Sequence, residues 1–115
     1  MVNHPTPETK TNEIIKALND LELSDAKANV FQLNRWENEA KKLHGSGHHM
    51  QAFIILGMIA CLKGDIGEMH QNHQTALRYG PDNMCAITNY GISLLKSDMP
   101  EDAYQQFLKG YDIDP

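Results

Sequence analysis

Histidine and cysteine are the residue types in this chain whose chemistry could build a site. Five histidines lie between positions 44 and 73, namely His44, His48, His49, His70 and His73. His70 and His73 are three residues apart, a spacing that could present two imidazoles to one metal ion from a helix face. Because no cysteine or carboxylate joins them at a ligand spacing, we interpret His73 as a partly buried core residue. We therefore predict no metal and no cofactor, with a histidine-based metal site as a minor alternative.

The two cysteines, Cys61 and Cys85, lie in apolar helical segments and form no CxxC pair. A free cysteine in such a setting commonly behaves as a small buried hydrophobe. The catalytic patterns GxSxG, HExxH, GxGxxG and GxxxxGK[ST] do not occur in the sequence. These observations predict reduced thiols, a cytoplasmic location and no enzymatic activity.

The charge pattern argues against nucleic acid and membrane partners. The net charge is -5, and the ten Lys and Arg residues are scattered, with one adjacent pair at Lys41-Lys42. Binding to phosphate backbones or anionic lipid requires clustered positive charge. The most apolar stretch, residues 53–62, is about half as long as the roughly 20 residues that cross a bilayer. The segment Met1–Lys10 is polar and lacks the apolar core of a secretory signal.

Apolar residues recur three and four positions apart along most of the chain, which predicts an all-α protein of about six helices. The predicted helices run from Thr6-Pro7 to Asn19, from Ser24-Asp25 to the Gly45-Ser46-Gly47 break, over 49–63, from Asp65 to Tyr79, over 84–97, and from Asp98-Pro100 to Tyr111. Their starts carry capping residues or prolines, and Gly64 can end a helix in the left-handed conformation. Short connections between such helices favour antiparallel hairpins.

An internal repeat is visible in the second half of the chain. Identical residues stand 34 positions apart at Met50 and Met84, Ala52 and Ala86, Gly57 and Gly91, Gln71 and Gln105, and Pro81 and Pro115. The small residues of this pattern fall where two helices would approach closely, and the prolines would close the second helix of each unit. This period is typical of a helix-turn-helix repeat.

Residues 50–115 resemble two consecutive tetratricopeptide repeats. The residues that carry the resemblance include the predicted helix-packing set Phe53, Leu56, Gly57, Ala60, Ala76, Tyr90, Gly91, Leu94, Ala103 and Phe107, with Met69, His73 and Gly110 in the same pattern. His73 stands where the family usually has an aromatic residue and Met69 where it usually has alanine. The resemblance implies a right-handed superhelix of antiparallel hairpins, with residues 49–115 as two repeats. Residues 1–48 are predicted to form an N-terminal helical hairpin, a degenerate repeat or cap, within the same structural domain.

The resemblance also implies that the first helix of each unit lines a concave groove that binds a peptide or helix. The predicted groove residues are Gln51, Ile54, Met58, Cys61, Leu62, Cys85, Thr88, Asn89, Ile92, Leu95 and Lys96. This surface is apolar, and an exposed apolar surface usually marks a binding site. We therefore predict an adaptor or chaperone-like protein that binds another protein. In the alternative, the helix that carries Trp36 or a second copy of the chain fills the groove.

The outer edge of the last two helices offers a second apolar surface. Since the sequence stops at Pro115, where a repeat array would normally add a polar capping helix, we expect this edge to support self-association, as in a twofold dimer. Phe31 and Trp36 are predicted core residues, and Tyr111 is predicted to pack between helices, with a binding role if the last helix is uncovered.

Overall fold

The computed structural model describes residues 6–115, which form six α-helices and no strand. The helices are α1 (Pro7–Asn19), α2 (Val30–Gly45), α3 (His49–Leu62), α4 (Ile66–Tyr79), α5 (Met84–Lys96) and α6 (Pro100–Ile113). A short 3-10 helix at Leu23–Asp25 precedes α2. The prediction of an all-α protein with about six helices is confirmed for this range, and residues 1–5 of the predicted N-terminal segment lie outside the described residues. None of the helices in residues 6–115 has the length and apolar content to cross a membrane.

Side-chain caps fix three helix starts at the positions expected from the sequence. The Thr6 hydroxyl accepts a hydrogen bond from the Thr9 backbone N–H, the Asp65 carboxylate accepts one from Glu68, and the Asn83 side chain accepts one from Ala86. Each bond satisfies an amide that the first helical turn leaves without an intrahelical partner. Polar residues at these positions therefore decide where α1, α4 and α5 begin.

Two predicted starts need correction. Helix α2 begins at Val30 and not near Ser24, because Asp25 accepts a hydrogen bond from the Glu22 backbone N–H and closes a 3-10 turn first. Asp98 is not the cap of α6, since it has a φ of 60° and the cap position belongs to Met99, which makes no side-chain capping bond. Asp98 instead ends the turn after α5 in the left-handed conformation.

The repeat period of the sequence is present in the backbone. The bounds of α4, shifted along the chain by one period, are those of α6. The left-handed residues Gly64 (φ 78°) and Asp98 (φ 60°) are also one period apart. After Gly64, the Asp65 N–H donates to Ala60 O at 2.9 Å, and after Asp98 the Met99 N–H donates to Leu94 O at the same distance. Helices α3 and α4 and helices α5 and α6 are thus two hairpins of the same construction, closed by the same turn.

A glycine faces an aromatic ring at the equivalent point of each hairpin. A Cβ atom added at Gly57 would lie 2.6 Å from Cδ2 of His73, and one added at Gly91 would lie 2.6 Å from Cε1 of Phe107. Gly91 follows Gly57 by one repeat period, and Phe107 follows His73 by the same period. Real Cβ contacts are essentially never this short, so the ring of the second helix occupies the space that the glycine of the first helix leaves open.

Helix α3 is the centre of the molecule and contacts α1, α2, α4 and α5. Its residues Ile54, Ile55, Met58, Ile59 and Leu62 join a core cluster with side chains of α1, α2, α4 and α5. A second cluster joins α3 to the last hairpin through Ala60, Cys61, Met69, Tyr90, Leu94 and Ala103. An all-round apolar helix is expected to be buried on every side, as α3 is.

The predicted N-terminal hairpin is not formed as expected. Helices α1 and α2 both pack on α3, and within residues 6–115 they do not form a close pair with each other. An ion pair links them, with Lys10 Nζ 2.7 Å from Glu39 Oε2. The connection from Asp20 to Asn29 explains the difference, because it is long enough to place α1 and α2 at separate positions on α3.

Replacing Asp98 with glycine tests the turn directly. Asp98→Gly should raise the free energy of unfolding by about 1 kcal/mol, because an L-residue is disfavoured in the left-handed conformation and glycine is not. Lys109→Gly, at an exposed position inside α6, should lower it by about 0.7 kcal/mol. Urea denaturation of the two variants and the unaltered chain measures both changes. A loss of stability in Asp98→Gly would contradict the assigned turn.

Candidate protein-binding surfaces

The predicted groove is a continuous surface of α3 and α5, but it is not open. Ile54, Met58, Cys61, Leu62 and Asn89 are buried. The other predicted groove residues are half-buried, at Gln51, Cys85, Thr88, Ile92 and Lys96, or exposed, at Leu95. The predicted groove is therefore covered and not open. Helix α1 bonds across this surface to Asn89 and Lys96 of α5, and Trp36 of α2 packs against the same core cluster.

Helix α1 lies against α3 as an amphipathic helix. Ile14, Ile15 and Leu18 are buried and belong to the same core cluster as Ile54, Met58 and Leu62. Positions 14, 15 and 18 are the i, i+1 and i+4 positions of one helical face, the arrangement by which a single helix binds an apolar groove. The groove therefore already holds a helix, supplied by the chain itself.

Lys96 of α5 binds the carboxyl end of α1. Its Nζ donates to the backbone oxygens of Leu21 at 2.6 Å, Asn19 at 3.0 Å and Leu18 at 3.4 Å. The last carbonyls of a helix lack intrahelical partners and carry partial negative charge, so an ammonium group there stabilises the end of the helix. Lys96 was predicted as a groove residue, and its task in this structure is to hold α1.

The polar contact between α1 and α5 is incomplete. Asn19 Nδ2 donates to Asn89 Oδ1 at 3.3 Å, and Asn89 Nδ2 donates to Cys85 O at 2.8 Å. Asn19 Oδ1 is buried and has no hydrogen-bond partner. A buried acceptor without a partner costs about 1–3 kcal/mol. The fit of α1 in the groove is therefore good for its apolar side chains and poor at Asn19.

Cys61 does not face the groove but lies between α3 and the last hairpin, where its Sγ donates to Ser93 O at 3.3 Å. Both cysteines are free thiols. Burial raises the pKa of the Cys85 thiol, which a hydrogen bond from Asn89 opposes only in part. A raised thiol pKa keeps the sulfur protonated and poorly nucleophilic. A cavity of about 470 Å³ adjoins Cys85 and Gln51 near the starts of α1, α3 and α5.

All ten predicted packing residues lie in contacts between helices. Gly57, Ala60, Ala76, Tyr90, Gly91, Leu94 and Ala103 are buried, and Phe53, Leu56 and Phe107 are half-buried against the core. Phe31 and Tyr111 do not follow their predictions, since they are 84% and 63% exposed. Phe31 lies in the first turn of α2, two residues before the buried Leu33, and a separation of two residues places it on the opposite face of the helix.

The histidines divide into two groups. His44 Nδ1 and His49 Nδ1 are 2.7 Å apart and link the end of α2 to the start of α3. His70 Nδ1 lies 2.6 Å from the Tyr90 hydroxyl, whereas His73 Nε2 lies 2.8 Å from Ser93 Oγ. His70 and His73 thus bind separate partners on α5, and among residues 6–115 no three His, Cys, Asp or Glu side chains are grouped as a metal site. His73 is fully buried and stacks on Tyr90 with ring centroids 5.0 Å apart.

An exposed aromatic and aliphatic stripe runs along α6. Tyr104 is 60% exposed, Leu108 38% and Tyr111 63%. They occupy the i, i+4 and i+7 positions of one face, beside the face that Ala103, Phe107 and Gly110 present to α5. We call Tyr104, Leu108 and Tyr111 the α6 stripe. Contiguous exposed apolar groups of this kind mark interaction sites on proteins.

Comparison with known proteins gives one distant relative. The chain is 26% identical over 86 residues to BBSome complex member BBS4 of Bos taurus, a protein that contains tetratricopeptide repeats. The similar segment is 72% of this chain and 17% of the relative, so the chain spans about a sixth of the relative's length. No protein-family model matches the chain, and no solved structure matches it. With six helices and a repeat period shared by sequence and backbone, this similarity supports a tetratricopeptide-like helical repeat.

Proposed function

We propose that this chain is a non-catalytic protein-interaction module of the cytoplasm that binds an amphipathic helix of another protein on the α6 stripe. The observation that carries the proposal is the position of the stripe in the repeat. Tyr104, Leu108 and Tyr111 follow His70, Gln74 and Leu77 of α4 by one repeat period. In α4, His70 and Leu77 of that face are half-buried, Gln74 is exposed, and the face is bonded to α5, the helix that follows it.

The contacts of the α4 face support this proposal for the equivalent α6 face. His70 and Gln74 both bond to the hydroxyl of Tyr90 in α5, at 2.6 and 3.5 Å. Leu77 packs against both core clusters. Because α4 and α6 have the same bounds in the repeat, the α6 stripe has the position and spacing of a surface that receives a helix. Larger side chains on α6 supply more apolar area than α4 does.

The charges beside the stripe define the chemistry of the partner. Asp112 follows Leu108 by one helical turn, Glu101 precedes it by two turns, and both are exposed. Lys109 is exposed and lies about 100° round the helix from Leu108, outside the stripe. A partner helix with leucine-like or aromatic residues on one face and Lys or Arg on its flank would satisfy both features. We expect such binding to weaken as salt concentration rises, since exposed charges are screened.

The distant relative supports the same class of function. Its name describes it as a member of a protein complex, and a helical repeat is well suited to binding other proteins because stacked helices present extended surfaces. The groove function predicted from the sequence is less well supported than the α6 stripe, because α1 covers most of that surface.

The stripe is tested by comparing two single variants of equal charge change. Leu108→Glu places a carboxylate in the stripe, and Lys109→Gln makes the same change in net charge at an exposed position outside the stripe. We expect proteins captured from cells by the tagged chain to be recovered about equally with Lys109→Gln. Recovery with Leu108→Glu should fall at least tenfold, because burial of a leucine contributes about 1.5–3 kcal/mol.

The measurement is affinity capture with quantitative mass spectrometry, and circular dichroism must show that both variants keep their helices. Leu108 is partly exposed and no core residue, so the substitution leaves the fold intact on our account. Capture of the same proteins in the same amounts by Leu108→Glu and by the unaltered chain would reject the α6 stripe as the binding site.

A further inference from the structure

We infer that the surface of α3 and α5 beneath α1 is an exchangeable helix-binding groove, and that its second occupant is α1 of another copy of this chain. The inference does not rest on the α6 stripe. It rests on the way in which α1 is attached, on its connection to the rest of the chain, and on its imperfect fit.

The attachment of α1 is confined to one small surface. Ile14, Ile15 and Leu18 supply its buried apolar side chains, and Lys96 holds its carboxyl end. Its link to α2 is the ion pair of Lys10 with Glu39, and exposed pairs of this kind contribute little. The groups that α1 contributes to these contacts are three apolar side chains of one face, its last carbonyls and Lys10, and α1 of a second copy carries the same groups.

The connection of α1 to the core permits it to leave. Residues 20–29 separate α1 from α2, contain one short 3-10 helix, and pack on the core through Leu21 and Ala26, so release of α1 must also release these two side chains. Fully extended, a segment of this length reaches roughly 33 Å, whereas the shortest dimension of the molecule is 23 Å. A chain of this reach can carry α1 from its own groove to that of a neighbouring molecule, which is the geometry required for domain swapping.

The unpartnered Asn19 Oδ1 shows that α1 leaves a buried polar atom unsatisfied in this groove. An element with such a defect opens more readily than the core around it. A second copy is the occupant that the structure supports, because α1 is a sequence already shown to fit the groove. Intramolecular α1 normally has the advantage of high effective concentration, so exchange becomes visible when that advantage is removed.

An experiment that mixes two variants of the chain removes the advantage of the intramolecular α1. In the acceptor chain, Leu18→Asp prevents its own α1 from filling the groove. In the donor chain, Lys96→Glu places a carboxylate against the α1 carbonyls and weakens its own groove. Each chain alone should have the monomer mass of 13.0 kDa by light scattering, and the mixture should contain a species of twice that mass. A chain that carries both Leu18→Asp and Lys96→Glu, when mixed with the donor chain, should form at least tenfold less of this dimer.

A mixture that stays at the monomer mass while both chains keep their helical circular dichroism would overturn the inference. Equal dimer formation by the double variant would also overturn it, since association would then use another surface, such as the α6 stripe. If Leu18→Asp unfolds the chain, hydrogen exchange of the unaltered protein tests whether α1 opens separately from the core. The inference then requires that the amides of α1 exchange at least tenfold faster than those of α3. Equal protection of the two helices would show that α1 does not open separately.

Discussion

Gly57→Ala should lower the free energy of unfolding by about 1–3 kcal/mol, although alanine is the better helix former. The added Cβ would lie 2.6 Å from the His73 ring, and His73 is fully buried with its Nε2 bonded to Ser93. The ring has no free space to enter, so α3 and α4 must separate or the Ser93 bond must break. Urea denaturation measures the loss.

Gly67→Ala is the matched control. Gly67 lies in the first turn of α4, and a Cβ there would meet nothing closer than Asp65 Oδ1 at 3.9 Å. This variant should gain about 0.4–1 kcal/mol, because alanine restricts the unfolded chain and favours helix. The same substitution should therefore have opposite signs at the two positions. If Gly57→Ala were as stabilising as Gly67→Ala, α3 and α4 would not approach as the structure shows.

Stability should fall steeply between pH 6.5 and pH 3 because of His73. Burial, and secondarily the charge of His70, lowers the pKa of His73 from the ordinary value of 6.5 to about 3. Over this interval the unfolded chain binds a proton at this imidazole and the folded chain does not. His73 thus has no effect on the pH dependence of stability above about pH 6.5, and the stability that it removes increases as the pH falls. At pH 3 it amounts to roughly 4–5 kcal/mol of lost stability.

His73→Gln isolates this effect. Glutamine keeps a polar group within reach of Ser93 but has no proton to gain in this range. The unaltered chain should lose stability relative to His73→Gln by up to about 1.4 kcal/mol for each pH unit below 6.5, as measured by denaturation at several pH values. The other histidines and the carboxylates contribute to both chains alike. Parallel pH profiles would show that His73 is not held neutral in the core.

Much of the fold could be predicted from local sequence features. Thr6, Asp65 and Asn83 cap helices where their side-chain chemistry indicates, and Gly64 takes the left-handed conformation that ends α3. The repeat period is also a sequence property, and it correctly places Gly57 at a close helix contact. These features depend on neighbours within a few residues or on a fixed repeat, so no tertiary information is required.

The candidate site was harder to predict because it depends on which helix α1 packs against. The apolar face with Ile14, Ile15 and Leu18 is visible in the sequence, but nothing local distinguishes packing on α2 from packing on α3. One available signal was the excess of apolar residues on all sides of α3, which requires more covering helices than α2 and α4 supply. The late start of α2 was missed because a 3-10 turn closed by Asp25 satisfies the same capping pattern as an α-helix.

The repeat explains why we propose two helix-binding surfaces on so small a chain. Each hairpin offers a face to the element that follows it, and α6 is the member of this series whose face is exposed in the structure. The inner face of α3 and α5 is covered by α1, which is joined through a long connection. The proposed binding at the α6 stripe and the proposed exchange at the groove thus use separate surfaces of one stacked architecture.

Site-specific photo-crosslinking shows directly whether a partner protein binds on the α6 stripe. A photo-reactive amino acid is placed at Tyr104 in one chain and at Lys109 in another, two exposed positions on different flanks of α6. On irradiation in cells, the chain labelled at 104 should form a discrete crosslinked product with a second protein, and the chain labelled at 109 should not. Identical products from both positions, or none from position 104, would contradict the account.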